Sequence, residues 1–165
     1  ELQPGMLILE PSAGKGDIAD AIKEKCPSCG LDMVELSTTL VEILREKGYT
    51  VVQADFMTAP DLRFYDRIIM NPPFEHGQDV DHVRHACGYL KPGGRIVAIT
   101  SEHPFFADDA KSRDFRNWLS AIGAGQGEKL ECGTFTGKEA FCQTGVAHCQ
   151  GEPGVESGTM RTLCL

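Results

Sequence analysis

Short apolar runs alternate along the chain with segments in which apolar residues recur every three or four positions. Short continuous runs are typical of buried strands, and the longer periodic segments are typical of helices that cover a sheet. Strands are predicted at 6–10, 31–36, 50–54, 66–70 and 94–100, and helices at 15–25, 38–47, 78–90 and 108–122. This alternation predicts an α/β, Rossmann-like, doubly wound sheet with helices on both faces.

The pattern changes after Trp118, where glycines interrupt every regular run. We expect a sixth strand at Lys129 to Phe135 and a last strand at Met160 to Leu165. Between them, 136–158 is predicted to be a long loop or a disordered insertion. Loops of this length are uncommon in compact domains unless they are functional or disordered. The whole chain, 1–165, is predicted to form a single domain, since its 165 residues with 41% hydrophobic content suffice for one core.

A glycine-containing turn joins the first predicted strand to the first predicted helix. Its candidate ligand-binding residues are Glu10, Pro11, Ser12, Ala13, Gly14, Gly16 and Asp17. Glycines allow close backbone approach, and the N–H groups at the start of a helix favour an anionic group. The turn is neither a Walker A loop nor a full G-x-G-x-x-G motif, because Gly16 follows Lys15 where Walker A needs Ser or Thr.

Acidic residues also follow the next two predicted strands. Glu35 and Leu36 end the second strand, and a carboxylate at this distance from the glycine turn can bind both hydroxyls of a ribose. Asp55 and Phe56 follow the third strand, where they can supply an acceptor and an apolar wall for an adenine. Because the carboxyl ends of parallel strands meet at one edge, these residues are expected to share a ligand site there.

The segment Asn71-Pro72-Pro73-Phe74 follows the fourth predicted strand. Two prolines cannot continue a sheet ladder, and they make a rigid turn whose carbonyls stay free to accept hydrogen bonds. Such a turn can present an amide, a carbonyl and an aromatic face together. A planar amino group needs that combination, namely two acceptors for its N–H groups and a ring on which to stack.

With these motifs the chain resembles the class I S-adenosylmethionine-dependent methyltransferases, in particular the amino-methyltransferases that carry Asn-Pro-Pro-Phe after the fourth strand. The resemblance runs from about Met6 to Trp118, and Leu90-Lys91-Pro92-Gly93-Gly94 resembles the junction before the fifth strand in that group. It implies a mostly parallel seven-stranded sheet with an antiparallel last strand. We expect the domain to lack the helix that members of that group usually place before the first strand, because Leu2-Gln3-Pro4-Gly5 leads directly into that strand.

The resemblance implies S-adenosyl-L-methionine as the cofactor and a catalytic role for Asn71, Pro72, Pro73 and Phe74. The cofactor-binding residues would be those of the glycine turn, Glu35, Leu36, Asp55, Phe56 and Asn71. The implied methyl acceptor is an exocyclic amino nitrogen of a nucleobase. Adenine N6 is favoured over other bases, and DNA is favoured over RNA. Two alternatives stay open: methylation of a protein glutamine amide, and a cofactor-binding module without catalysis.

Charge limits how a nucleic acid could bind. The formal net charge is −8 at pH 7, whereas duplex affinity comes largely from Lys and Arg. A nucleic acid substrate would therefore need a local basic patch, a missing segment or a partner. Lys111, Arg113 and Arg116 are candidates for a patch, with Arg84, Lys91 and Arg95 behind them, although a solvated helix face is the simpler interpretation.

Neither a signal peptide nor an apolar run long enough to cross a bilayer stands in the sequence, so we expect no membrane partner. The seven scattered cysteines suggest reduced thiols and a cytoplasmic protein. The resemblance implies that the cell is bacterial or phage-infected. Cys26-Pro27-Ser28-Cys29 has zinc-site spacing, with further candidate ligands at Cys132, Cys142, His148 and Cys149, but one C-x-x-C is weak and no metal is predicted. The oligomeric state is left open.

Five histidines include two pairs of interest. His82 and His85 are expected to be solvated residues on one helix face. His76 and His103 follow the fourth and fifth strands at the ligand edge, where each could contact substrate, although a loop histidine without a role is the simpler interpretation.

Overall fold

The computed structural model describes residues 1–59, 62–124, 128–129 and 143–147, the last two segments by their backbone only. The helices are α1 (Asp17–Lys25), α2 (Thr38–Glu46), α3 (Gln78–Cys87), α4 (His103–Phe106) and α5 (Ala110–Ala121), and a 3-10 turn spans Glu75–Gly77. The strands are β1 (Leu7–Glu10), β2 (Gly30–Val34), β3 (Val51–Gln53), β4 (Tyr65–Met70), β5 (Leu90–Thr100), β6 (Glu128–Lys129) and β7 (Gln143–Ala147).

Five strands form a parallel sheet in the order β3-β2-β1-β4-β5. The pairs β1–β2, β1–β4, β2–β3 and β4–β5 are all parallel. The chain therefore starts in the middle of the sheet, builds outward to β3, and returns past β1 to build the other side. This confirms the Rossmann-like parallel sheet that the sequence predicts, and it places the reversal of strand order between β1 and β4.

Both faces of the sheet are covered, because neighbouring residues of a strand point to opposite sides. Leu9 of β1 belongs to a core cluster with Val80 and Phe115 from α3 and α5. Its neighbour Ile8 belongs to another cluster with Ile22 of α1. Burial of apolar side chains on two faces explains why the strands read as continuous apolar runs.

The sheet continues beyond β5 through two short segments. β7 pairs antiparallel with β5, and β6 pairs antiparallel with β7. β6 overlaps the predicted strand at 129–135 only at Lys129, and the rest of that prediction lies outside the described residues. β7 lies inside 136–158, where a long loop was predicted. The predicted last strand at 160–165 lies outside the described residues. The parallel sheet is confirmed over its five strands, and the seven-stranded sheet with an antiparallel last strand stays a prediction.

The region between α3 and β5 differs from the sequence prediction. Helix α3 ends at Cys87 rather than at 90, and β5 begins at Leu90 rather than at 94. The N–H of Tyr65 donates to the carbonyl of Tyr89 at 2.8 Å, so pairing with β4 starts before the Pro92-Gly93-Gly94 turn. A register shift between Tyr65 and Arg67 accommodates that turn within the strand.

Cys26 and Cys29 form a disulfide, with their Cα atoms 5.5 Å apart. The expectation of reduced thiols is therefore wrong for this pair. The end of α1 and the start of β2 bring the two residues into the range of separation that a disulfide needs. The further candidate zinc ligands lie outside the described residues, and no group of three metal-binding side chains occurs within them. No helix in the described part of the chain is long and apolar enough to span a bilayer.

Candidate active site at the carboxyl edge of the sheet

The carboxyl ends of the parallel strands bring the predicted motifs to one edge. Along this edge the order of segments follows the strand order: 55–56, 35–36, 10–17, 71–77 and 101–112. We call residues 10–17 and 35–36 the donor half, because the sequence predicts that they bind the methyl donor. We call residues 71–77 and 101–112 the acceptor half, because this side of the edge holds the turn predicted to bind the methyl acceptor. The two halves meet between β1 and β4, where open α/β sheets hold their ligands.

The glycine turn of the donor half depends on two left-handed residues. Gly14 has φ 57° and Gly16 has φ 87°. A Cβ on Gly16 would lie 2.8 Å from Leu44 Cδ2, whereas a Cβ on Gly14 would meet open space. Gly16 therefore lets α1 approach α2, and Gly14 leaves room over the turn.

The other residues of the turn differ in exposure. Pro11 and Ala13 are buried, Ser12 is half-buried, and Asp17 is exposed. No side chain caps the N-terminus of α1. Its first-turn N–H groups thus have no partner from a capping side chain, which suits an anionic group of a ligand.

Glu35 connects the two segments of the donor half. Its Oε2 accepts a hydrogen bond from the Gly14 N–H at 2.7 Å, and its Oε1 accepts one from the Ser37 N–H at 2.7 Å. The residue is 8% exposed. Each carboxylate oxygen has a second lone pair, so Glu35 can hold the glycine turn and still accept hydroxyl groups from a ligand.

Glu10 is a buried carboxyl group with an unsatisfied oxygen. The residue is 1% exposed, and its Oε2 has no hydrogen-bond partner. Burial raises its pKa to about 8, with smaller contributions from the negative charges of Asp17 and Asp20. An orphaned buried acceptor beside the glycine turn is a position where a cationic or hydrogen-donating ligand group would be stabilised.

The predicted adenine-binding residues occupy different environments. Leu36 is 72% exposed and offers apolar surface next to Glu35. Asp55 accepts hydrogen bonds from the Met57 N–H at 2.9 Å and the Thr58 hydroxyl at 3.0 Å. Phe56 is only 2% exposed, so this packing does not support its expected role as a wall for adenine.

Phe56 is instead the centre of a cluster of rings from α3 and the residues after it. Its ring centroid lies 4.8 Å from that of His85, 5.7 Å from that of His82 and 6.0 Å from that of Tyr89. His85 Nε2 lies 3.0 Å from the Phe56 carbonyl oxygen. Burial lowers the pKa of His82, and the charge of His85 adds to that shift. The two histidines are therefore packing residues rather than the solvated ones expected.

The acceptor half begins with the double-proline turn. Asn71 and Pro73 are exposed, Pro72 is buried, and Phe74 is half-buried. Phe74 lines a cavity of about 400 Å³ that extends to Ser101 and His103 after β5. The turn thus combines an exposed amide with an aromatic wall beside an open cavity.

Asp79, which sequence reasoning missed, ties the two segments of the acceptor half together. It is fully buried, and its Oδ2 accepts hydrogen bonds from the Ser101 N–H at 2.8 Å and the Ser101 hydroxyl at 2.6 Å. The only sequence signal is an acidic residue in the first turn of a helix, which usually interacts with its own helix. Here the carboxylate fixes the residues after β5 against the start of α3.

The candidate basic patch consists of side chains that already have partners. Lys111 Nζ lies 2.7 Å from Asp81, Arg113 pairs with Asp108, and Arg116 donates to the carbonyls of Pro104 and Ala107. Two of the lesser candidates are paired as well, Arg84 with Asp114 and Lys91 with Asp66. These pairs reduce the free positive charge that a phosphate backbone would meet.

Solved structures that share the fold include N-methyltransferases. TrmN from Thermus thermophilus is 24% identical, with a TM-score of 0.61 over 87% of this chain and 43% of TrmN. The N-methyltransferase NodS from Bradyrhizobium japonicum WM9 is 15% identical, with a TM-score of 0.59 over 87% of this chain and 85% of NodS. Coclaurine N-methyltransferase, solved with N-methylheliamine and SAH, is 22% identical, with a TM-score of 0.53 over 60% of this chain.

The chain spans 32% of coclaurine N-methyltransferase, and 43% of TrmN. No curated protein sequence matches it. The model of the methyltransferase small domain family matches residues 4–116, which contain the whole parallel sheet and both halves of the candidate site. Members of a methyltransferase family of this fold use S-adenosylmethionine as the methyl donor. The chain belongs to the methyltransferase small domain family.

Proposed function

We propose that this chain transfers a methyl group from S-adenosylmethionine to an exocyclic amino nitrogen of a nucleobase, with adenine N6 in DNA as the acceptor. The observation that carries the proposal is the position of Asn71-Pro72-Pro73-Phe74. The turn follows β4 at the carboxyl edge, next to β1 and its glycine turn, with Asn71 exposed and Phe74 on a cavity.

The donor half fits the cofactor. The unsatisfied Oε2 of Glu10 and the open space over Gly14 provide a buried acceptor and room beside it. Glu35 would accept the ribose hydroxyls, and the exposed side chain of Leu36 would contact the adenine. Asp55 would add an acceptor beyond it. When bound, S-adenosylmethionine supplies an electrophilic methyl carbon on a sulfonium sulfur that departs neutral.

The double-proline turn would bind the reacting amino group. The Asn71 side-chain oxygen and the Pro72 carbonyl accept its two N–H groups, and Phe74 stacks on the target ring. These acceptors direct the nitrogen lone pair away from the ring plane. Because positive charge develops on the nitrogen during transfer, the same hydrogen bonds strengthen in the transition state.

The charge distribution favours an acceptor that is already unstacked. A base in a duplex reaches such a site only by flipping out, at a cost of a few kcal/mol. The chain has a net charge of −8, and five of its six candidate basic side chains, all but Arg95, are paired with carboxylates or carbonyls. Single-stranded DNA is therefore the preferred substrate of this domain, and a further segment or partner would supply affinity for a duplex.

Tritium-labelled S-adenosylmethionine tests the proposal with separate pools of single-stranded DNA, RNA and protein. We expect label in the DNA pool, at N6 of adenine. An oligonucleotide with purine, which lacks the amino group, in place of every adenine is the matched control and should remain unlabelled. Label on protein glutamine would overturn the proposed acceptor, and cofactor binding without transfer to any pool would indicate a module without catalysis.

A further inference from the structure

The cavity beside Phe74 contains a histidine that the proposed reaction has not used. The side chains that carry polar or charged groups into its wall are those of His76, Ser101, His103, Asp109, Lys111 and Ser112. His103 is the first residue of α4, two positions after the Ser101 that Asp79 holds. A second cavity of about 460 Å³ also has His103 in its wall, so His103 is shared by the walls of both cavities.

A carboxylate orients the His103 ring. His103 Nε2 lies 3.1 Å from Asp109 Oδ2. Asp109 in turn accepts hydrogen bonds from the Ser112 hydroxyl at 2.6 Å and the Ser112 N–H at 3.0 Å, as the N-cap of α5. The Ser112 hydroxyl and N–H, in that order, hold the pKa of Asp109 well below its ordinary value, with a smaller contribution from His103.

An ionised carboxylate can only accept hydrogen bonds. Nε2 of His103 is therefore the protonated nitrogen of the neutral ring, and Nδ1 carries the free lone pair. The result is a histidine whose tautomer is set by a carboxylate and whose second nitrogen can take up a proton. Its side chain is 70% exposed, so a proton that it takes up can pass to solvent.

Methylation of an amino group leaves a proton to be removed. The nitrogen lone pair forms the new bond to the methyl carbon, and the carbon–sulfur bond breaks with its electron pair on sulfur. The nitrogen then carries a positive charge and two hydrogens, one of which must leave. Asn71 and Pro72 offer amide and peptide oxygens, which orient that hydrogen but are too weakly basic to take it.

We propose that His103 is the catalytic base that removes this proton, and that Asp109 is its positioning residue. This step rests on the proposed function. The proton passes from the methylated nitrogen to His103 Nδ1, and the imidazolium is stabilised by the Asp109 carboxylate until the proton passes to water. Lys111 cannot serve, because its ammonium has no lone pair and lies 2.7 Å from Asp81.

Chemical rescue tests the step. His103→Ala should lower the turnover of a single-stranded adenine oligonucleotide by about a hundredfold or more, the range of a lost general base. Added imidazole should restore turnover in this variant and leave the wild type unchanged, because a cavity of about 400 Å³ can admit the free base. If His103→Ala lowered turnover only by disturbing the structure, added imidazole would not restore it.

Asp109→Asn tests the positioning role, since asparagine is still a good N-cap for α5. It should lower kcat severalfold with little change in KM. Asp114→Asn, an identical change at an exposed carboxylate of α5 outside the acceptor half, should leave both unchanged. In the protein without ligands, nitrogen NMR should show His103 protonated at Nε2, and this preference should weaken in Asp109→Asn.

The outcomes separate the two proposals. No transfer by the wild type to any oligonucleotide would overturn the proposed function and this step with it. Transfer by the wild type that is unchanged in His103→Ala would overturn the step alone. A loss in His103→Ala that imidazole does not restore would show a structural role, and His103 protonated at Nδ1 would also contradict the step.

Discussion

The two halves of the carboxyl edge hold their functional groups in different ways. In the donor half Glu10 is 1% and Glu35 is 8% exposed, and Glu35 is fixed by two backbone N–H groups. In the acceptor half Asn71 is exposed and the His103 side chain is 70% exposed. For the proposed function, this difference means that the donor half is preorganised for the cofactor, whereas the acceptor half stays open for a substrate that must enter and leave.

Glu10→Gln should have the largest effect on the pH dependence of stability, through the donor half. The pKa of Glu10 is raised to about 8 in the folded protein, so folding becomes less favourable as pH rises from the ordinary carboxyl pKa to 8. Glutamine resembles the protonated group and removes this dependence. We expect the variant to gain roughly 3–4 kcal/mol relative to wild type between pH 5 and pH 8.

Urea unfolding of both proteins at the two pH values measures this difference. Glu24→Gln, at an exposed position of α1, is the matched control and should show no comparable gain. If the free energy of unfolding changes equally with pH in wild type and Glu10→Gln, burial does not raise the pKa of Glu10.

Asn71→Ala should abolish most activity through the acceptor half alone. Loss of one hydrogen bond that strengthens in the transition state lowers turnover by about a hundredfold or more. Because Asn71 is exposed, stability should change little. Asn117→Ala, at the only other asparagine of the chain and also exposed, is the control.

Single-turnover rates and calorimetric titration with S-adenosylmethionine separate transfer from cofactor binding in Asn71→Ala. Equal rates in Asn71→Ala and Asn117→Ala would remove Asn71 from the mechanism. A large loss of cofactor affinity in Asn71→Ala would instead show that Asn71 acts mainly by binding the cofactor.

Glu35→Gln should weaken the donor half in two ways. An amide nitrogen would face the N–H of Gly14 or Ser37, leaving a donor without an acceptor at a cost of about 1–3 kcal/mol of stability. The cofactor should bind at least about tenfold more weakly, since 1.4 kcal/mol corresponds to a factor of ten. Calorimetric titration and thermal unfolding measure the two effects, and Glu42→Gln on exposed α2 surface should change neither.

Leu36→Ala should have the smallest effect and sharpens the contrast with Phe56. Leu36 is 72% exposed, so its truncation should leave stability within about 0.5 kcal/mol and weaken cofactor binding severalfold. Phe56→Ala should do the reverse, with a loss of about 3–5 kcal/mol of stability because its ring is buried. Equal cofactor affinity in Leu36→Ala and wild type would exclude Leu36 from the site.

The sequence was sufficient to predict which residues reach the carboxyl edge. Apolar runs followed by turn residues defined the strands, and the parallel arrangement then placed Glu10, Glu35 and Asn71 together. These placements depend only on local periodicity and on the rule that parallel strands share an edge. That rule does not reveal which of several edge side chains are accessible.

The remaining features depend on contacts between distant segments. Phe56 is buried because the residues after β3 lie against α3, which sequence position alone does not show. The bonds of Asp79 to Ser101 and of Glu35 to Gly14 join residues 22 and 21 positions apart. The contact between His103 and Asp109 depends on the short helix α4. Four residues are too few for hydrophobic periodicity to predict this helix.

The central claim is that one crevice holds a methyl donor over the glycine turn and an amino group at the double-proline turn. Transfer of label from tritiated S-adenosylmethionine to a single-stranded oligonucleotide tests it most directly, with adenine compared against purine at the same positions. We predict label on the adenine strand only, lost in Asn71→Ala and retained in Asn117→Ala. Equal labelling of both strands, or full labelling by Asn71→Ala, would contradict the account.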